Sequence, residues 1–361
     1  MNNYIEVIKE AVFFFPLIAL IFTTPFILIQ YHKYGSISVL KSLIIYSFIL
    51  YLICAYFLVI LPLPSIEEVA NLTTKTTQLI PFAFIIDFIN ETSFNIAIPS
   101  TYIKSLSESC FYVPIYNIFL TLPFGIYLRY YFKCNLKQTC LYTFLLSLFF
   151  ELTQLTGLYF IYPRGYRLFD VDDLILNTLG GLLGYVIAKP FIKILPNKEK
   201  INENALEKGK IVSGFRRTTT FILDLFILGL ILLLTILFTK NKYIILLIIF
   251  IYYFIIPIFY KGSTLAEKFL NITIVDYNDK YNIIRLFLRK IIFILIYIVI
   301  PILLFKIKIN DNYFNIALRI FIFTLVFLFY LFTTIKYIFS KKSLLYEKIS
   351  KTKLISTIQE R

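Results

Sequence analysis

Apolar runs long enough to cross a lipid bilayer recur along this chain of 361 residues. A hydrocarbon core of about 30 Å requires roughly 20 such residues in one helix. Only a helix or a closed barrel satisfies the backbone polar groups there. Nine segments meet the requirement, at residues 11–30, 38–62, 111–131, 139–161, 173–191, 218–238, 243–260, 288–305 and 317–338. The sequence therefore predicts an all-α, polytopic helical membrane protein with about nine transmembrane helices.

Composition excludes an ordinary soluble domain, since 59% of the residues are hydrophobic and only 16% are charged. The net charge of +15 could suggest a nucleic-acid partner. However, lysine and arginine concentrate in alternate connections, which is typical of cytoplasmic loops. The excess therefore indicates topology and attraction to anionic lipid, and we predict no nucleic-acid partner. The same rule predicts an outer N-terminus and an inner C-terminus.

The predicted spans fall into two blocks. Residues 1–195 form a five-helix membrane domain, and residues 216–340 form a second membrane domain. The polar stretch 196–215 is predicted to be a cytoplasmic linker or a short surface helix, and 341–361 a basic cytoplasmic tail. The connection 63–110 is acidic, so we place it outside.

One apolar part of that outer loop, residues 79–99, does not qualify as a span. It is too short and is interrupted by Pro81 and Asp87. We therefore expect an interfacial or re-entrant segment on the outer leaflet.

Cysteine and histidine provide little chemistry. The four cysteines form no C-x-x-C motif, and the single histidine, His32, has no potential metal ligands at suitable spacing. We predict no metal site and no cofactor.

Polar and small residues share one face of the fifth span. Asp173, Asn177, Gly181 and Gly184 follow the spacing i, i+4, i+8, i+11. Gly180 and Gly184 form a G-x-x-x-G pair, and with Gly181 they predict close helix packing.

The fourth span has a matching stripe that contains Glu151. A carboxylate within a span must face protein or water, because its charge is costly in lipid. We predict a polar, ligand-binding pocket open to the outside. Its residues would be Asn117, Glu151, Gln154, Arg164, Arg167, Asp170, Asp172, Asp173 and Asn177. The alternative is structural: the aspartates cap the helix and Arg167 pairs with Asp170.

Three segments carry a family resemblance. "NIFLTLPFGIYLR", "SLFFELTQL" and "GYRLFDVDDLILNTLGGLLGY" resemble, in order and spacing, the VanZ-like family over about residues 112–189. These are membrane proteins of mostly Gram-positive bacteria, named after an accessory glycopeptide-resistance protein that lowers teicoplanin susceptibility. The resemblance implies a cell-envelope protein of the bacterial cytoplasmic membrane. It maps the family's recurrent positions onto Asn117, Pro123, Gly125, Glu151, Gln154, Arg167, Asp170, Asp172, Asp173, Asn177, Gly180, Gly181 and Gly184.

The second block has its own pattern. Arg217 begins a span, Asp224 follows on the same face, and Asp276 lies in the next inner loop. This block resembles the RDD family of membrane domains, with departures at Thr220 and Ala266. The arginine and aspartates leave two alternatives, an ion or proton site and a structural pair that stabilises packing.

Three functions remain open. The first is a non-enzymatic envelope protein that binds an amphiphile: a membrane lipid, a lipid-linked cell-wall precursor or a lipoglycopeptide. The second is an ion or small-solute transporter that uses Glu151 and Asp224. The third is a membrane-embedded hydrolase or transferase with an acidic general base. The absence of a Ser/His or Cys/His pairing argues against the third. The sequence does not predict an oligomeric state.

Overall fold

The computed structural model describes residues 2–306, 313–339 and 343–358. Eight helices within these ranges are long and apolar enough to cross a membrane. This confirms the prediction of an all-α, multi-pass membrane protein. The ends of the predicted tail, residues 341–342 and 359–361, lie outside the described residues, as does the boundary at 340.

The chain divides into two compact units. The first comprises Met1–Phe22 and Val39–Lys200, and the second comprises Thr23–Ser38 and Ile201–Arg361. The first helix contributes to both units.

The first unit is built mainly from long helices and from the connection 63–110, which contains short elements and is called the outer loop after its predicted side. Its helices are α1 (Asn2–Tyr34, shared), α2 (Val39–Ile60), α3 (Ile66–Ala70), α4 (Ala83–Glu91), α5 (Ser100–Leu106), α6 (Ser109–Tyr130), α7 (Leu136–Leu155), the single turn α8 (Gly157–Phe160) and α9 (Val171–Ile194). Two short strands, β1 (Thr77–Gln78) and β2 (Phe169–Asp170), pair in parallel. This pairing fixes the outer loop beside the start of α9.

Helix α7 occupies the fourth predicted span but is not among the eight apolar helices. It begins with a capping box, in which the side chains of Asn135 and Gln138 each accept the other's backbone N–H. Its buried face is polar, which lowers its hydropathy. The polar residues on it are at most 6% exposed: Thr139, Thr143, Ser147, Glu151 and Gln154. The helix is thus stabilised by polar packing against its neighbours.

The predicted continuation of this span to residue 161 is wrong. The helix ends at Leu155, and a left-handed turn follows, with φ of 54° at Leu158 and 57° at Tyr159. Residues in the left-handed region cannot continue a right-handed helix, and the Cβ atom makes this region costly for every residue except glycine.

The second unit combines helices with a small sheet. Its elements are α10 (Lys198–Gly209), α11 (Gly214–Phe238), α12 (Lys242–Phe250), α13 (Ile256–Phe259), α14 (Leu265–Phe269), α15 (Ile283–Ile294), α16 (Ile300–Lys306), α17 (Tyr313–Phe339), α18 (Leu345–Ile349), β3 (Ile272–Asp276) and β4 (Thr352–Ser356). Wide π-helical turns at Ile251–Ile255 and Leu295–Val299 link α12 to α13 and α15 to α16. The strands pair antiparallel, from Ile272 opposite Ser356 to Asp276 opposite Thr352.

Candidate functional site

Helices α6 and α9 are joined by two polar contacts. The side-chain amide of Asn117 donates to the carboxylate of Asp173. One turn further along both helices, the Thr121 hydroxyl donates to the backbone carbonyl of Asn177 at 2.6 Å. Since both residue numbers rise together, α6 and α9 run parallel at this contact.

Helix α7 closes the other side of the same cluster. Asn177 Nδ2 donates to Ser147 Oγ at 2.9 Å, and the backbone N–H of Asp170 donates to Glu151 Oε2 at 3.0 Å. Between these two contacts the residue number rises along α9 and falls along α7, so α7 runs antiparallel to α9. We call the group Asn117, Ser147, Glu151, Asp170, Asp173 and Asn177 the polar seam.

The polar seam is shielded and contains an unpaired acceptor. The side chains of Glu151 and Asn177 are 2% and 3% exposed. Asn177 Oδ1 is buried without a hydrogen-bond partner. A buried polar atom without a partner is uncommon in proteins, so Asn177 Oδ1 is an acceptor that remains available for a water or a ligand.

Arg167 and Gln154 bind the C-terminal end of α2. Arg167 Nη1 donates to the carbonyl of Val59 at 2.5 Å, and its Nη2 donates to Leu61 at 2.8 Å. Gln154 Nε2 also donates to the carbonyl of Val59, at 3.0 Å. The last carbonyls of a helix have no hydrogen-bond donor within the helix. The side chains of Arg167 and Gln154 provide these donors.

Arg164 binds the outer loop in the same manner. Its two Nη atoms donate to the carbonyls of Leu72 and Thr74. Its Nε is buried without a hydrogen-bond partner. Both arginines at the start of the α9 region therefore direct their Nη groups at backbone carbonyls.

The aspartates at the start of α9 have separate partners. Asp170 caps α9 by accepting the N–H of Asp172 at 2.8 Å. The carboxylate of Asp172 accepts the backbone N–H groups of Phe82 (2.5 Å) and Phe84 (2.9 Å), at the start of α4. Burial is the main cause that raises the pKa of Asp170 above its ordinary value. The three aspartates thus organise three different segments.

Glycines allow α6 and α9 to approach closely. A Cβ at Gly180 would meet the carbonyl of Ile118, and one at Gly184 would meet the carbonyl of Leu122. At Gly181 the obstacle would be the side chain of Thr143 on α7. Each of these three positions therefore faces a neighbouring helix directly.

Among the described contacts, the candidate residues Arg217, Asp224 and Asp276 of the second unit bind other partners and not one another. Arg217 lies 3.8 Å from Glu347 Oε2. Asp224 accepts the hydroxyls of Tyr252 (2.6 Å) and Thr264 (2.9 Å). Asp276 accepts backbone N–H groups of its own turn and pairs with Arg285 at 3.3 Å.

Sequence reasoning missed Arg289 and Glu347, which form an ion pair of 2.8 Å. Glu347 is one of two acids in a basic tail, the other being Glu360, and this scarcity is the one signal that could have marked it. Sequence reasoning also missed Arg216, which is fully buried. Its guanidinium donates to the carbonyls of Leu270, Asn271 and Gly209. Among the described side chains, no group of three or more His, Cys, Asp or Glu is arranged to hold a metal ion.

One family model matches a continuous part of the first unit. Residues 48–195 match the family model described as VanZ/LLP1. This range includes most of α2, the outer loop and every residue of the polar seam. It confirms a VanZ-like domain, as predicted from the motifs at 112–189, and extends it toward the N-terminus. No curated protein and no solved structure matches the chain.

Proposed function

We propose that the VanZ-like domain is a non-enzymatic binding unit for an amphiphile that carries an amine. In this proposal the polar seam receives the amine and the outer loop contacts the apolar part. The family's association with glycopeptide resistance suggests a teicoplanin-type lipoglycopeptide or an envelope lipid as the occupant, in a Gram-positive cell.

One observation carries the choice of an amine. Arg164 and Arg167 direct their Nη groups at backbone carbonyls. The seam instead contains the carboxylates of Glu151 and Asp173 and the unpaired amide oxygen of Asn177. Carboxylates and carbonyl oxygens accept hydrogen bonds, and an ammonium group only donates them. The seam therefore suits a cationic donor better than an anion.

The outer loop supplies an apolar surface for the rest of an amphiphile. Helix α4 contains no buried residue. Its Ile86 and Ile89 are 53% and 63% exposed, and Ile80 just before it is 66% exposed. Asp172 accepts the N–H groups at the start of α4 and donates its own N–H to Asp170 of the polar seam, so Asp172 links this surface to the seam.

The proposal is tested by Asp173→Asn. An asparagine oxygen can still accept the amide N–H of Asn117, so the variant should fold and lose at most about 1 kcal/mol of stability. It loses the negative charge that attracts the amine. We expect cells that express it to lose the teicoplanin protection given by the wild type, at equal abundance of both proteins.

Arg167→Ala is the structural comparison. It removes the donors to Val59 and Leu61, so it should lower the thermal midpoint and abundance, with protection falling in proportion. In nanodiscs, dodecylammonium should raise the thermal midpoint of the wild type more than neutral dodecanol does. The amine proposal would be refuted if the Asp173→Asn protein were abundant and gave full protection, and if dodecylammonium and dodecanol raised the thermal midpoint of the wild type equally.

Two further assignments belong to this proposal. From the sequence resemblance we infer that residues 216–340 form an RDD-like domain. From the distribution of lysine and arginine we infer that the protein lies in the cytoplasmic membrane with its N-terminus outside.

A further inference from the structure

The second unit contains a cavity of about 440 Å³. Its wall follows α11 from Arg217 to Leu228, which is about 16 Å at a rise of 1.5 Å per residue. Arg217, near the start of α11, and Arg289, in the middle of α15, both contact Glu347. The two arginines are therefore at the same end of the cavity, and most of the remaining wall is aliphatic and aromatic.

Arg217 is the unusual group in this wall. Its side chain is 7% exposed. Its Nε and Nη1 have no hydrogen-bond partner. Each oxygen of the nearby Glu347 already accepts one hydrogen bond at 2.8 Å, Oε1 from Arg289 and Oε2 from the N–H of Leu344. Arg217 Nη1 lies 3.8 Å from Oε2, beyond hydrogen-bond distance. A buried guanidinium with unused donors is unfavourable unless something accepts them.

The acids that line the cavity are satisfied within the protein. Both oxygens of Asp224 accept hydroxyl groups. Glu267 caps α14 by accepting the N–H of Thr264 at 2.7 Å, and it lies 4.0 Å from Lys290. The unpaired hydrogen-bonding atoms described in this wall are therefore the positively charged donors of Arg217.

We propose that this cavity binds an anionic amphiphile, with a phosphate or carboxylate group on Arg217 and an apolar chain along α11 toward Leu228. The planar guanidinium matches the geometry of both oxyanions. The volume is within the roughly 300–1,000 Å³ of small-molecule sites, so it accommodates a headgroup and part of one chain. This site lies in the second unit and is independent of the polar seam.

The chain contains no tryptophan, which allows a direct test. Phe221→Trp places a single fluorophore in the cavity wall, one turn from Arg217. Phe238→Trp places it at the far end of the same helix, where Phe238 is 89% exposed. In phosphatidylcholine nanodiscs, brominated lysophosphatidate or brominated fatty acid should quench the Phe221→Trp protein several-fold more than the Phe238→Trp protein. The excess quenching of the Phe221→Trp protein over the Phe238→Trp protein should saturate as the concentration of the brominated amphiphile rises.

Three comparisons decide the outcome. Brominated monoacylglycerol, which is neutral, should give no excess quenching, and inorganic phosphate should not relieve it. Arg217→Gln should abolish the excess. Arg285→Gln, which removes a cation of α15 that does not line the cavity, should leave it unchanged. Equal quenching by the neutral lipid, or an excess that survives Arg217→Gln, would overturn the proposal. Relief by inorganic phosphate would overturn its amphiphilic part.

A second variant covers the case in which Arg217→Gln does not fold. Ile294→Phe narrows the apolar part of the cavity and leaves Arg217 intact. We expect it to reduce the excess quenching at least several-fold, and unchanged quenching would contradict the proposal.

Discussion

The carboxylate of Glu151 accepts the backbone N–H of Asp170 at 3.0 Å. This bond connects the buried acid of α7 to the residue that caps α9. The first N–H groups of a helix have no acceptor within it, and Asp170 precedes that first turn. Glu151 therefore has a structural partner within the protein itself, and substitution can test this role separately from the proposed binding of an amine.

We predict that Glu151→Gln and Glu151→Leu differ in stability. The glutamine oxygen can still accept the N–H of Asp170, so its thermal midpoint in detergent should stay close to that of the wild type. Leucine leaves this N–H without an acceptor, at a cost of about 1–3 kcal/mol. If both variants lost the same stability, the charge and not the hydrogen bond would be the important property.

A second prediction concerns the packing of α6 against α9. A Cβ at Gly184 would collide with the backbone carbonyl of Leu122 and lie 3.2 Å from the Cα of Gly125. Since backbone atoms cannot move aside locally, Gly184→Ala should destabilise the protein by about 1–3 kcal/mol.

Gly229 in α11 is the matched control for this substitution. A Cβ there would meet no atom within 4 Å. Gly229→Ala should be neutral or stabilising by up to about 1 kcal/mol, because alanine favours the helix. Thermal unfolding of both variants measures the difference, and equal effects would argue against close packing at Gly184.

Local periodicity made much of the first unit predictable. Asp173 and Asn177 are four residues apart, so any α-helix places them on one face. The same holds for Ser147 and Glu151. The structure adds which helices these faces meet, and both faces contribute to the polar seam.

The partners of the arginines were not predictable. Arg164 and Arg167 donate to backbone carbonyls, and every residue carries such a carbonyl. Only the path of the outer loop determines which ones are in reach. The ion pair of Arg289 with Glu347 joins residues 58 positions apart, beyond any helical repeat. Sequence spacing contains no information on such contacts.

A third prediction concerns pH. The backbone N–H groups of Lys280 and Asn278 donate to Asp276, and Arg285 lies nearby, so the pKa of Asp276 is lowered. A carboxyl with a lowered pKa in the folded state stabilises the fold above its unfolded pKa of about 3.9. This contribution disappears as the pH falls through the folded value.

Asp276→Asn isolates this effect. The difference in thermal midpoint between wild type and variant should be larger at pH 7 than at pH 3. A difference that stays constant over this range would show that the charge of Asp276 does not contribute to stability.

The last prediction concerns orientation in the membrane. Lysine and arginine are abundant in the linker region that contains α10, and acids predominate in the outer loop that contains α4. The positive-inside rule therefore places α4 outside and α10 inside. Asp87 in α4 and Glu203 in α10 are both exposed, so a cysteine at either position should react with a maleimide.

The measurement requires a background without the native cysteines, which are Cys54, Cys110, Cys134 and Cys140. In intact cells, a membrane-impermeant maleimide should label Asp87→Cys and not Glu203→Cys. After permeabilisation both should be labelled. Labelling of both positions in intact cells, or of neither, would mean that α4 and α10 lie on the same side. The polar seam could then not be assigned to the outer leaflet from the charge distribution, because that assignment depends on α4 being outside.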